Sequence, residues 1–260
     1  LRSDQGGTVS GRLSYSNPNL QQIPARNKEF GDKIRSLFLP EEGRQWGSFD
    51  YSQQEPRLVA HYAASVNDNF EGAAEFIEAY KNESADVHQI VADMAGITRS
   101  QAKTINLGLF YGMGKAKLGK ELGINKDQAE TLLRQYGERV PFVKRLATEV
   151  TNSASKYGFI RTIGGRKCRF DMWEPATFGM NKAMQYEEAK AIYGNNIRRA
   201  FTYKALNRLI QGYAADQTKP DMINSYKASY KPTLQIHAEL CFFTNETKHN
   251  PICNKIMDKP

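Results

Sequence analysis

The sequence contains little cysteine and has no long apolar run, internal repeat or low-complexity segment. Its three cysteines, Cys168, Cys241 and Cys253, show no C-x-x-C spacing, so neither a disulfide framework nor a zinc knuckle is indicated. No stretch approaches the roughly 20 apolar residues of a membrane helix, and the start "LRSDQGGTVS" lacks the apolar core of a signal peptide. We therefore expect a cytoplasmic globular protein with reduced thiols and no membrane partner.

Positive charge is in excess. The 260 residues include 36 Lys and Arg against 28 Asp and Glu, a formal net charge of +8, with 40% hydrophobic residues. A chain of this size can bury a substantial core. The charge favours a polyanionic partner such as nucleic acid, although charge alone does not identify one.

Strand patterns lie near the two ends of the chain, and helical patterns dominate the middle. The strand predictions cover 44–52, a hairpin at 158–170 with Gly164 and Gly165 in its turn, and a strand–turn–strand at 232–244. The helix predictions cover 55–65, most of 68–157 including one helix around 99–118, and 182–223. Little helix is expected in the first 40 residues. The layout predicts an α+β fold, a sheet domain with a helical insertion.

One predicted helix carries a stripe of two cations, an apolar residue and a phenol. Arg99, Lys103, Leu107 and Tyr111 follow one another at intervals of four and so share one face. The stripe is either an ordinary solvated face or an anion clamp followed by a stacking surface, which would suit a nucleoside triphosphate. His88, on a neighbouring helical segment, either joins this site or is structural.

Five segments resemble, in order and spacing, motifs of the family A DNA polymerases. Motifs A, B and C are matched by "DYSQQEPR" (50–57), "RSQAKTINLGLFYG" (99–112) and "QIHAEL" (235–240). Two further matches are "SGRLSYSNPNLQQIPARN" (10–27) and "NRLIQGYAAD" (207–216). The resemblance covers nearly the whole chain and implies template-directed DNA synthesis, by transfer of a nucleotide from a dNTP to a primer 3′-OH.

The resemblance also implies a right-hand polymerase fold with an antiparallel-sheet palm and a helical fingers insertion. The implied domains are palm at 1–65, fingers at 66–157 and palm again at 158–260. Thumb and exonuclease regions, which lie upstream in relatives, are expected to be missing from this chain. The implied partners are primer–template DNA and dNTP, together with an upstream thumb or exonuclease segment or a processivity factor.

By the same resemblance, two Mg²⁺ or Mn²⁺ ions would neutralise charge during phosphoryl transfer. Asp50 would bridge both ions, and the backbone carbonyl of Tyr51 would be a further ligand. Glu55, which the sequence pattern predicts to be buried, would crowd a ribose 2′-OH and accept a hydrogen bond from Tyr111. That contact would select deoxyribonucleotides.

The remaining implied roles concern the two substrates. Arg99, Lys103 and His88 would hold the triphosphate, and Lys103 would also protonate the leaving pyrophosphate. The implied nucleotide site further contains Tyr111, which would stack near the templating position, and Gln53, Glu55 and Leu107. The implied DNA contacts, in the minor groove or at the primer end, are Arg12, Asn207, Gln211 and His237.

The sequence departs from the family at a residue central to the chemistry. Where the family carries His-Asp-Glu in motif C, this chain has His237, Ala238 and Glu239. The missing Asp is the second carboxylate of the metal site, so we expect impaired catalysis, with Glu239 as a partial replacement. Both an engineered and a natural replacement are compatible with the sequence.

Two other departures concern specificity and length. Leu107 replaces the aromatic residue usual in relatives, so dideoxynucleotide sensitivity does not transfer. The segment 171–195, with Trp173, looks longer than in relatives; it either packs internally or binds a partner. The alternative to an enzyme is a non-catalytic DNA-binding or replisome scaffold that keeps the fold. The retained Glu55, Lys103 and Tyr111 favour the enzyme.

Overall fold

The computed structural model describes residues 8–23, 28–65, 70, 73–74, 77–78, 86–110, 113–177, 179 and 182–244. The helices of the described residues are α1 (Lys28–Arg35), α2 (Gln54–Ser65), α3 (Val87–Ala95), α4 (Arg99–Phe110), α5 (Lys115–Leu122), α6 (Lys126–Arg139), α7 (Pro141–Tyr157), α8 (Tyr186–Tyr193) and α9 (Ala205–Lys227). The strands are β1 (Gln45–Phe49), β2 (Phe159–Arg161), β3 (Lys167–Arg169), β4 (Trp173–Pro175), β5 (Ile197–Arg199), β6 (Pro232–Ile236) and β7 (Glu239–Thr244). The mixture of helices and antiparallel sheets confirms the α+β prediction. None of the helices in the described ranges is long and apolar enough to cross a membrane.

Contacts within the chain divide it into two compact units. One comprises Leu1–Gln54 and Gln211–Pro260, and the other comprises Glu55–Ile210. The predicted palm and fingers boundaries fall at other positions, after residues 65 and 157. That assignment of palm and fingers stays a prediction.

The first unit is built on a three-stranded antiparallel sheet in the order β1-β7-β6. The central strand β7 has the sequence "ELCFFT", and its Leu240, Cys241 and Phe242 are buried. A nearly continuous apolar run is what a strand covered on both faces requires. The predicted strand–turn–strand at 232–244 is confirmed, with His237 and Ala238 forming a two-residue turn between β6 and β7.

The free edge of β6 is held by the N-terminal segment. The Gln21 side chain donates to the carbonyl of Leu13 and to Gln235 Oε1, both at 3.2 Å. The backbone N–H of Gln235 donates to the Tyr15 hydroxyl. The prediction of little helix in the first 40 residues was incomplete, because "KEFGDKIR" forms the eight-residue helix α1.

The second unit is mainly helical, and its helix ends follow local sequence signals. Asn125 and Gln128 form a capping box at the start of α6, and Pro141 occupies the first turn of α7. The unit's core contains large side chains from α3 to α7 that are almost fully buried: Val91, Ile105, Leu118, Tyr136, Val140, Phe142 and Leu146. These helices position the charged and polar residues described below.

Two helix predictions in this unit were wrong in detail. The single helix expected around 99–118 is interrupted: α4 ends at Phe110, and α5 begins at Lys115 after Gly114, which has extended backbone. The segment 182–223, expected to be helical, contains β5, which pairs with β4. Glu174 and Arg198 face each other on these strands, and their side chains form a salt bridge of 2.9 Å.

The predicted hairpin at 158–170 is confirmed as β2 and β3, with a different turn. The Thr162 N–H donates to Arg166 O, which encloses a three-residue loop, and Gly165 has φ of +87°. A three-residue hairpin loop needs left-handed backbone at its last position, where glycine carries no steric cost. The glycine that this turn requires is therefore Gly165, whereas the sequence predicted a turn formed by Gly164 and Gly165 together.

Candidate functional site

Two carboxylates meet at one end of the three-stranded sheet in the first unit. Asp50 directly follows β1, and Glu239 is the first residue of β7. Phe49 pairs with Leu240, so continuing the antiparallel register places Asp50 opposite Glu239. Residues directly opposite each other on antiparallel strands share a face and interact.

Glu239 is held in place by two neighbours on the same face of the sheet. The Ser48 hydroxyl donates a hydrogen bond to Glu239 Oε1. The Cys241 thiol lies 3.7 Å from the same oxygen. Burial, followed by the charge and hydrogen bond of Glu239, raises the pKa of Cys241 to about 12. The thiol therefore stays protonated at neutral pH and acts as a donor to Glu239.

The electrostatics of the pair favour a cation. The side chain of Asp50 is open to solvent. Desolvation by the surrounding protein and the negative charge of Glu239 nevertheless raise the pKa of Asp50, while His237 lowers it. A divalent cation bound between the two carboxylates would relieve the repulsion between their negative charges. Across the described ranges, no group of three or more His, Cys, Asp or Glu side chains could hold a metal ion by itself. A pair of carboxylates still fits Mg²⁺, which keeps several waters and binds through one or two carboxylates plus substrate oxygens.

The turn that precedes Glu239 contains the unusual residue of motif C. His237 is exposed and has φ of +56°, and the half-exposed Ala238 follows it. Positive φ at the first position of a two-residue hairpin loop and not at the second is the pattern of a type II′ turn. The methyl group of Ala238 offers no atom that could bind a cation.

The segment after Asp50 corrects one prediction. Glu55, expected to be buried, is only half-buried, and the buried polar residue is Gln54 at 8% exposure. The Gln54 amide donates to Gln217 Oε1 at 3.0 Å. Gln53 is half-buried with φ of +53°. The buried hydroxyl of Tyr51 has no hydrogen-bond partner among the described residues.

In the second unit, the predicted phosphate-binding residues lie together. Asp86 caps α3 by accepting from the backbone N–H groups of His88 and Gln89, and it binds Arg99 Nε at 2.6 Å. Lys103 lies one turn beyond Arg99 on α4, and both cations are exposed. Burial lowers the pKa of His88, and the charges of Lys103 and Arg99 lower it further. Tyr111 and the side chain of Leu107 lie outside the described residues.

His88 is part of a buried hydrogen-bond network that the sequence did not predict. The Tyr136 hydroxyl donates to Asn106 Oδ1, and Asn106 Nδ2 lies 3.2 Å from His88 Nδ1. These residues come from α6, α4 and α3 and are at most 8% exposed. Asn106 lies within motif B, between Lys103 and Leu107. Its place within motif B is the sequence signal that could have identified Asn106 as a candidate site residue.

The predicted DNA contacts fall into two groups. In the first unit, Arg12 and His237 line a small cavity, together with Lys219 and Gln235. On α9, Asn207 and Gln211 are spaced four residues apart and so lie on the same helix face. The structure thus brings Arg12 close to His237, and Asn207 close to Gln211.

The chain is similar to known proteins in family, sequence and fold. The model for DNA polymerase family A matches residues 2–259. A DNA-directed DNA polymerase of Pseudomonas phage M6 is 37% identical over 93% of this chain and 39% of its own length. DNA polymerase I of Caldicellulosiruptor bescii is 34% identical over 91% of this chain and 26% of its own.

The solved polymerase domain of Pol1 from M. smegmatis, in complex with DNA primer–template and dNTP, has a TM-score of 0.72 and 29% identity. The match covers 96% of this chain and 42% of that chain. The chain therefore belongs to DNA polymerase family A. It spans 39% or less of the curated relatives named above.

Proposed function

We propose that this chain carries the nucleotidyl-transfer site of a template-directed DNA polymerase. The observation that carries the proposal is the facing pair Asp50 and Glu239, at motifs A and C of a family A chain. Burial, followed by the charge of Glu239, raises the pKa of Asp50, and a divalent cation would relieve the repulsion between the two carboxylates. Phosphoryl transfer depends mainly on positioning and charge neutralisation, which such a site supplies.

Asp50, Glu239 and the backbone carbonyl of Tyr51 would hold Mg²⁺ or Mn²⁺. Bound ions would activate the primer 3′-OH as a nucleophile and offset charge on the transferring phosphate. Ser48 and Cys241 donate hydrogen bonds to Glu239 and so keep its carboxylate at the sheet end. Second-shell donors of this kind orient metal ligands.

The exposed cations Arg99 and Lys103, with His88, form the proposed triphosphate site. Asp86 holds Arg99 by its Nε, which leaves the terminal guanidinium nitrogens to bind phosphate oxygens. Lys103 would protonate the leaving pyrophosphate. Glu55, half-buried at the second position of α2, would select against a 2′-OH. Gln53, Leu107 and Tyr111 complete the proposed nucleotide site.

The proposed DNA contacts are Arg12 and His237 beside the cavity, and Asn207 and Gln211 on α9. Minor-groove acceptors are common to all base pairs, so these side chains would test pair shape rather than sequence. Binding would therefore be independent of sequence and sensitive to salt. A cytoplasmic location and an upstream thumb, exonuclease or processivity partner stay predictions.

Ala238 is proposed to impair catalysis because it removes one anionic metal ligand. Glu239 would then be the second carboxylate of the site, and catalysis would fall without being abolished. Losing an anionic ligand weakens cation binding, and without the cation the negative charge on the transferring group is not offset.

Primer extension of the Ala238→Asp variant tests the carboxylate pair. In that background, Asp50→Asn should reduce single-nucleotide incorporation by roughly 100-fold or more, because even outer-shell partners of metal sites are worth 10- to 100-fold. Glu239→Gln should reduce it less. Glu121→Gln, a change at an exposed helical carboxylate, is the control and should leave the rate unchanged.

The competing function is a non-catalytic DNA-binding scaffold. It predicts tight binding of primer–template with no incorporation in any variant, including Ala238→Asp. Equal rates for Asp50→Asn and Glu121→Gln would likewise refute the proposed site.

A further inference from the structure

We infer that Asn106 and Tyr136 are positioning residues that hold His88 in one tautomer, with its proton on Nε2, for binding the triphosphate of the incoming nucleotide. The role of His88 toward the triphosphate rests on the proposed function. The network that fixes the tautomer rests on the structure of the helical unit alone.

The direction of the network follows from its hydrogen bonds. The Tyr136 hydroxyl donates to Asn106 Oδ1, so the acceptor atom of the amide is already engaged. The amide nitrogen, Nδ2, is the atom that lies 3.2 Å from His88 Nδ1. Because Nδ2 carries only hydrogens to donate, His88 Nδ1 must accept. A neutral imidazole that accepts at Nδ1 carries its proton at Nε2.

Burial keeps this arrangement in place. Tyr136 is 1% exposed and Asn106 is 2% exposed, so no solvent competes for their hydrogen bonds. An unsatisfied amide or hydroxyl here would cost the full desolvation of a polar group. Reversal of the Asn106 amide would therefore have to be accompanied by rearrangement of both neighbours.

The charges around His88 also favour its neutral form. Burial lowers the pKa of His88; Asp86 at the start of α3 raises it, and Lys103 and Arg99 on α4 lower it. Tyr136, the group that α6 contributes, is kept neutral because burial raises its pKa. His88 therefore contributes a directed N–H donor to the phosphate site, while Arg99 and Lys103 contribute charge.

The first test reads the tautomer directly, by ¹⁵N NMR of the imidazole nitrogens in the full-length protein at pH 7.5. The sequence has four histidines, and the His88→Gln variant identifies the signal of His88. We expect an unprotonated Nδ1 and a protonated Nε2. Asn106→Asp replaces the donor with an acceptor, so it should move a proton onto Nδ1 and raise the pKa of His88. A wild-type signal with Nδ1 protonated would overturn the inference.

The second test is a double-mutant cycle on nucleotide affinity. Binding of the next correct dNTP is measured with the protein on a primer–template whose primer ends in a dideoxynucleotide, so that no chemistry follows. Tyr136→Phe should weaken binding roughly 3- to 10-fold, the range of one hydrogen bond. In the His88→Gln background the same change should weaken it less than twofold, because a positioning residue acts only through its target.

Tyr62→Phe is the matched control. The Tyr62 hydroxyl is also mostly buried and accepts a hydrogen bond from the Ile163 N–H in the same unit. The Tyr62→Phe variant should lower the stability of the fold, as Tyr136→Phe does, and should leave dNTP affinity unchanged. The positioning role would be overturned if Tyr136→Phe weakened dNTP binding by the same factor in the parent and in the His88→Gln background. It would also be overturned if Tyr62→Phe weakened dNTP binding as much as Tyr136→Phe does. A parent protein that binds no dNTP would refute the proposed function and the positioning role together, and the NMR result would still decide the tautomer.

Discussion

The carboxylate of Asp50 is partly desolvated by surrounding protein and faces the carboxylate of Glu239, and both effects lower the stability of the folded chain. The pKa of Asp50 is raised above its ordinary value of 3.8, so the folded state holds its proton at higher pH than the unfolded state does. Stability is therefore lower above the folded pKa and recovers as pH falls through it. Natural sites accept such costs where function requires the charge.

Asp221 on α9 offers a measurable case of the same effect. Burial raises its pKa from 3.8 to about 6, so the folded state loses stability as pH rises from about 4 to 6 and stays less stable above that. Asp221→Asn should therefore be more stable than the parent at pH 8, and the gain should shrink as pH falls toward 4. Urea denaturation at several pH values measures this. An equal gain at pH 8 and pH 4.5 would show that the charge of Asp221 is not responsible.

Single residues differed in how far the sequence could predict them. Asp50 and Glu239 could be proposed from the sequence because each stands within a short segment that resembles a family motif. The partners of His88 were missed, because Tyr136 lies 30 residues from Asn106 and their contact depends on how α4 and α6 pack. The contact of Ser48 with Glu239 likewise depends on strand register, which alternation alone does not fix.

Two glycines within helices allow a matched test of close packing. A Cβ on Gly119 in α5 would lie 2.8 Å from the carbonyl oxygen of Ile124, whereas a Cβ on Gly137 in α6 would have its nearest contact at 3.7 Å, with the Lys144 side chain. Gly137→Ala should stabilise the fold by up to about 1 kcal/mol, since alanine favours helix. Gly119→Ala should destabilise it by roughly 1–3 kcal/mol, because the backbone must shift. Chemical denaturation measures both; stabilisation by Gly119→Ala would contradict the close approach.

Whole elements were predicted where a pattern was long enough. The hairpin at 232–244 combines two strand patterns with a short turn, and α6 and α7 have caps and long apolar periodicities. β4 and β5 have three residues each, too few for an alternating pattern, and α8 separates them. They were missed because no short glycine turn marks them as a hairpin, as it does for the equally short β2 and β3. The break between α4 and α5 was missed because a glycine within a helical pattern signals either close packing or an end.

At the scale of the whole molecule, the formal net charge of +8 and the proposed minor-groove contacts predict binding to DNA of any sequence. The logarithm of the affinity for primer–template should fall linearly with the logarithm of salt concentration, since basic side chains that bind phosphates release counterions. Unrelated duplexes of equal length should bind within about threefold of each other, since the contacts carry no sequence information. Fluorescence anisotropy across a salt series measures both. A single strongly preferred sequence would contradict the proposed mode of binding.

The most direct test of the central claim is single-nucleotide primer extension with Mg²⁺, comparing this protein with its Ala238→Asp variant. The account predicts weak extension by the parent and an increase of roughly 100-fold or more in the variant, because a second metal ligand is restored beside Asp50 and Glu239. No extension by either protein, on a primer–template that both bind, would contradict the account and favour a non-catalytic role.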